Sequence, residues 1–125
     1  MKKNIIFPFF VILAAAIIVG LFIFLIKNKN SPPPDNTPIF FYGYDCPHCQ
    51  KVEEFFAAND VTKKISFEQR EVYQSANNAK LMTDRYGKCG ITDPKEMYIP
   101  FYWNGTTCIT GDQPIIDYFK NNLGL

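Results

Sequence analysis

Charge is absent from one long stretch of this 125-residue sequence. From Ile5 to Ile26, "IIFPFFVILAAAIIVGLFIFLI", no charged side chain appears. At about 1.5 Å per residue, a helix of that length crosses the hydrocarbon core of a bilayer. The absence excludes a buried core helix, because a folded remainder of roughly 90 residues has no interior that could cover it on every side. A small-residue A-x-A-like processing site is also missing from the end of the run, which meets Lys27 and Lys29 directly. An uncleaved N-terminal anchor lying in the lipid bilayer is therefore expected, rather than a removed signal peptide. Lysines stand on both sides, Lys2 and Lys3 before and Lys27 and Lys29 after, so the positive-inside rule fixes no orientation.

Positive charge is scarce in the remainder. Residues 30 to 125 hold nine Lys and Arg against twelve Asp and Glu, a net −3, which excludes the basic patch that nucleic-acid binding calls for. No internal repeat is present. Histidine is nearly missing, with His48 alone, and of the four cysteines, Cys46, Cys49, Cys89 and Cys108, only the first two form a close pair. A zinc cage usually needs two such pairs, so no metal is expected. A non-enzymatic carrier that uses Cys46 and Cys49 as metal ligands is an alternative, which metal analysis of the reduced protein would reveal.

What is there falls into three parts: an anchor over residues 1–29, a Pro-rich linker over 30–37 and a domain over 38–125. "SPPPDNT" favours an extended spacer of about 3 Å per residue. "PIFFYGY", residues 38–44, reads as a buried strand. "PHCQKVEEFFAAN" starts a helix at the cysteine pair, with Pro47 in its first turn and Cys49, Val52, Phe55 and Phe56 at helical spacing. "KISFEQREV", residues 64–72, reads as an edge strand. "SANNAKLMTDRYG" reads as a second helix with Ala79, Met82 and Tyr86 inward, stopping at Gly87. "YIPFYW", "NG" and "TTCIT" read as strand, two-residue turn and strand. Asp112 then caps a last helix, whose Ile115, Ile116, Phe119 and Leu123 form one apolar stripe.

This order, βαβαββα, puts "CPHC" at the junction of the first strand and the first helix. There Cys46 meets the unpaired N–H groups and the positive dipole end of the helix, which favour its thiolate, while Cys49 lies one turn inside. Cys46 is the exchanging sulfur and Cys49 the resolving one. His48, when protonated, adds positive charge near Cys46, and Pro47 stiffens the turn; Asp45 acts in the opposite sense. The even cysteine count in an exported domain favours a second disulfide between Cys89 and Cys108, with a buried free Cys108 as the other reading.

"CPHC" after a strand, "IP" opening a hairpin some fifty residues later, and "NGTTCITGDQPIIDYF" closing the chain together resemble the minimal thioredoxin fold, at glutaredoxin size. The resemblance covers residues 38–123. It implies an α/β domain acting as a thiol–disulfide oxidoreductase, whose only redox group is the Cys46–Cys49 disulfide. Pro-His between the cysteines is similar to DsbA-like periplasmic oxidases, whereas Ile99 before Pro100 is what reducing thioredoxins often carry. The resemblance also implies a cis peptide bond at Pro100, with the backbone of Ile99 left to pair with an extended substrate. Expected partners are cysteine-containing protein substrates and a redox protein in the same membrane, with the domain on the extracytoplasmic side. A glutathione-dependent glutaredoxin is the rival, although the lysine that glutaredoxins often place before their CxxC is absent from "FYGYD".

Overall fold

A computed structural model describes residues 6–29 and 32–125. Lys2, Lys3 and Ile5 lie outside the described residues, as do the side chains of Lys27 and Lys29. The chain divides into two compact units, Met1–Pro33 and Pro34–Leu125. The first holds helix α1, Ile6–Lys29. Within it Pro8–Ile26, 19 residues of mean hydropathy 3.2, is long and apolar enough to cross a membrane, by a length and composition that a signal sequence shares.

The second unit is a mixed α/β structure built on four strands, β1 (Ile39–Tyr42), β2 (Glu68–Glu71), β3 (Phe101–Trp103) and β4 (Cys108–Thr110). They lie in the order β2-β1-β3-β4. β1 runs parallel to β2 and antiparallel to β3, and β3 runs antiparallel to β4. Between and after them come helices α2 (Pro47–Ala58), α3 (Val61–Lys64), α4 (Ala76–Lys88) and α5 (Asp112–Leu123).

Alternation along β1 and β3 sends side chains to both faces, and both faces are covered. Ile39, Phe41, Phe101 and Trp103 pack with Val72 and with Leu81 and Tyr86 of α4. Phe40 and Tyr102 pack with Val52 and Phe56 of α2, Val61 of α3, and Ile115 and Phe119 of α5. Phe40, Phe41, Phe101 and Phe119 are fully buried, and a phenylalanine so buried contributes about 1.5–3 kcal/mol relative to an exposed one. Burial likewise pushes the Tyr102 phenol far above its usual range.

Several elements differ from their sequence reading. β2 is four residues, not nine, and Lys64, at the start of the expected strand, instead ends a short helix, Val61–Lys64, entered through Asp60 in the left-handed region, φ 53. α4 runs one residue past Gly87, to Lys88, and the left-handed turn falls on Gly90 at φ 77. Ala79 and Met82 are only partly buried against the core, and Leu81 and Arg85 join Tyr86 inside. The hairpin turns on Gly105–Thr106 rather than Asn104–Gly105, since Trp103 pairs with Cys108 and Asn104 N–H bonds Thr107 O at 3.2 Å. Asn104 Oδ1 instead accepts the N–H groups of Thr106 and Thr107, an acceptor role that holds it beside the turn. α5 is capped by Gly111, and Asp112 is its first residue, with the carboxylate engaged elsewhere.

Residues 34–37, read as linker, are bound into the second unit. Arg85, 2% exposed on α4, donates to Asp35 Oδ1 at 2.6 Å and to the Pro34 carbonyl at 3.2 Å. Its guanidinium also stands over the Trp103 ring, 6.0 Å from the centroid. Lys88 Nζ reaches the other Asp35 oxygen at 2.6 Å, and Trp103 Nε1 donates to the Asp35 carbonyl at 2.7 Å. Lys88 and Arg85 hold the Asp35 carboxyl below its ordinary range. The sign is that of a depressed acid: the clamp is intact at neutral pH and fades only as pH falls through that lowered value. The spacer reading therefore does not hold for residues 34–37.

Candidate active site

Parallel strands β1 and β2 end at the same edge of the sheet, and the residues after β1 lead straight into the cysteine pair. Cys46 is the N-cap of α2, with extended backbone at φ −115 and ψ 107, and Pro47 occupies the first helical position. There its missing N–H costs nothing, and its fixed φ suits the helix start. Cys46 and Cys49 are joined in a disulfide, with Cα atoms 5.2 Å apart. The Cys49 N–H donates to Cys46 Sγ at 3.2 Å. An otherwise unpaired amide of the first helical turn is therefore already aimed at the sulfur that would carry negative charge after reduction. Exposure differs in the expected direction, though by little: Cys46 is 7% exposed and Cys49 is fully buried.

His48 is exposed, and its ring is held from across the fold. Nδ1 lies 3.0 Å from Asp112 Oδ2, and Lys51 Nζ lies 3.2 Å from the same oxygen. His48 and then Lys51 hold the Asp112 carboxyl far below the usual carboxylate range. A protonated imidazole there would have the Asp112 carboxylate, and not Cys46 alone, as its electrostatic neighbour. Sequence reasoning missed this role for Asp112, having taken it for a helix cap. A partner 64 residues away leaves no local signal.

The start of α5 also reaches the second sequence-predicted segment. The Ile99–Pro100 peptide bond is cis, and the Pro100 carbonyl accepts the Gly111 N–H at 2.9 Å. Gly111 and Asp112 thus tie the Ile99–Pro100 segment to the CxxC helix. The Ile99 N–H and C=O bond no other backbone group among the described residues.

Cys89 and Cys108 form a second disulfide, with Cα atoms 6.2 Å apart. It joins the C-cap of α4 to the first residue of β4 and packs against the core cluster on the α4 face. The first pair sits at a helix N-terminus, a position compatible with thiol–disulfide exchange. The second has the position of a staple. No protein-family model matches the chain, and no curated protein matches it in sequence.

Proposed function

We propose that this chain is a membrane-tethered thiol–disulfide oxidoreductase with a thioredoxin-like domain, exchanging disulfides with cysteines of exported proteins through Cys46 and Cys49. The observation that carries this reading is the disulfide at the start of α2, with Cys46 as N-cap and an amide N–H directed at its sulfur. In the oxidising half-reaction a substrate thiolate attacks Cys46 Sγ, and Cys49 Sγ leaves as a thiolate. A second substrate thiolate then attacks the substrate sulfur of the mixed disulfide and expels Cys46. Two electrons pass to the pair, and the substrate leaves with one disulfide. A redox partner in the same membrane resets the pair by the same exchange in reverse.

The extracytoplasmic side is supported by the second disulfide, a bond rare where thiols are kept reduced, and the tether by the apolar helix Pro8–Ile26. One experiment tests both reactivity and side. In sealed cells whose outer envelope, if any, has been opened, a membrane-impermeant bulky maleimide added after mild reduction is expected to label Cys46. Cys46→Ser loses that label. Labelling only after lysis would place the domain in the cytosol and turn the reading toward a reductase. A pair that resists mild reduction altogether would make it structural.

A further inference from the structure

Helix starts favour acids, because the first turn presents unpaired N–H groups and the positive end of the dipole. The start of α2 does the reverse. Its first turn holds no acidic residue, while His48 stands in that turn and Lys51 three residues on. Such a pattern works against the helix and in favour of an anion at its N-cap, which after reduction is the Cys46 thiolate.

A carboxylate from the far end of the domain opposes both cations. Asp112 Oδ2 lies 3.0 Å from His48 Nδ1 and 3.2 Å from Lys51 Nζ, so one oxygen serves the two. The Asp112 side chain is 23% exposed, against 65% for His48 and 61% for Lys51, which makes the carboxylate the fixed member of the cluster. Its place is set by the fold. Asp112 opens α5, whose Ile115 and Phe119 are buried, and Gly111 before it donates its N–H to the Pro100 carbonyl at 2.9 Å. His48 and then Lys51 hold the Asp112 carboxyl far below the usual carboxylate range, so it is charged throughout the neutral range. Asp45, the acid next to Cys46 in the chain, is by contrast exposed to solvent.

We propose that Asp112 is a positioning residue of the exchange site, a counter-charge that holds His48 and Lys51 and lowers the oxidising power the cysteine pair would otherwise have. The proposal rests on the exchange reading given above. Reduction by glutathione joins two glutathione thiols in one disulfide and passes two electrons to Cys46–Cys49. One proton stays on the Cys49 thiol and the other goes to solvent, leaving Cys46 a thiolate. Only the reduced side of that equilibrium carries the added negative charge, so a carboxylate beside it disfavours reduction. As first residue of α5, Asp112 also suits the dipole of its own helix, a role that bears on stability and not on the potential.

The test equilibrates the full chain in detergent micelles with glutathione at neutral pH and low salt. Asp112→Asn, which keeps an acceptor oxygen and removes the charge, is expected to shift the equilibrium about threefold toward the reduced pair. The double variant His48→Gln/Lys51→Gln, which keeps the carboxylate and removes the cations, is expected to shift it about threefold the other way. Both shifts should shrink at about 1 M salt, where the screening length falls to about 3 Å. An unchanged equilibrium in Asp112→Asn, or a shift that persists at high salt, would overturn the counter-charge and leave the exchange reading standing. Should Asp112→Asn fail to fold, the double variant decides alone, and no shift toward the oxidised pair in it would overturn the proposal. A parent chain whose Cys46–Cys49 bond glutathione never opens reversibly would remove the exchange reading beneath it.

Discussion

Cys49→Ala is expected to accumulate mixed disulfides with cellular proteins, and Cys46→Ala to accumulate few. The asymmetry follows from where α2 begins. Cys46 is the N-cap, next to the positive end of a 12-residue helix, and receives the Cys49 N–H at its sulfur. Both effects favour its thiolate, and Cys46 is the more exposed of the two, at 7%, which under the proposed exchange makes it the sulfur a substrate meets. Cys49 is fully buried one turn inside. Without Cys49 the bond to substrate still forms, but nothing resolves it. Without Cys46 the buried sulfur has little access to a partner. Non-reducing gels of membranes from cells expressing each variant should show high-mass adducts more abundant for Cys49→Ala than for Cys46→Ala, all lost on adding reductant. Equal adducts from both variants would contradict the division of labour.

The second large effect concerns the other pair. Cys89→Ser or Cys108→Ser is expected to lower stability by about 2–4 kcal/mol while leaving exchange at Cys46 intact. The bridge fastens the last turn of α4 to β4, and that turn carries Arg85 and Lys88, which hold Asp35 and so the first residues of the unit. Removing the bridge frees the unfolded chain and loosens the clamp together. Denaturant titration of the full chain in detergent, followed by Trp103 fluorescence, reads the change, because the Trp103 indole is bonded to Asp35. An unchanged midpoint would show that the bridge is energetically idle. A loss of exchange in a variant that still folds would give the second pair a part in the chemistry.

The central frame was legible because its signals are local. A β-branched and aromatic run ending in a cysteine pair, with proline in the first helical position, gives β1 and α2 without reference to anything distant. The apolar stripe of α5 and the hairpin of β3 and β4 have the same character. What escaped is what depends on tertiary partners. α3 is four residues long, entered through a left-handed Asp60, and periodicity says little about so short a piece. The hairpin turn moved by one residue because the Asn104 side chain found three hydrogen-bond donors in the loop. Arg85 lies on a helix face that a pattern reading would leave to solvent, and it goes inside because Asp35, 50 residues earlier, supplies the opposite charge. Asp112 escaped for a similar reason, its partner being on another helix.

The redox equilibrium of Cys46 and Cys49 tests the central claim most directly. The full chain is held in glutathione buffers of graded ratio, quenched by alkylation and weighed by mass spectrometry. The account predicts a reversible two-electron transition at Cys46–Cys49 alone, with the fold intact and Cys89–Cys108 still bridged. Its midpoint should lie at about −270 to −120 mV, the range spanned by catalytic dithiols. A pair that stays bridged until the domain unfolds, or that is reduced only together with Cys89–Cys108, would contradict it and make both disulfides staples.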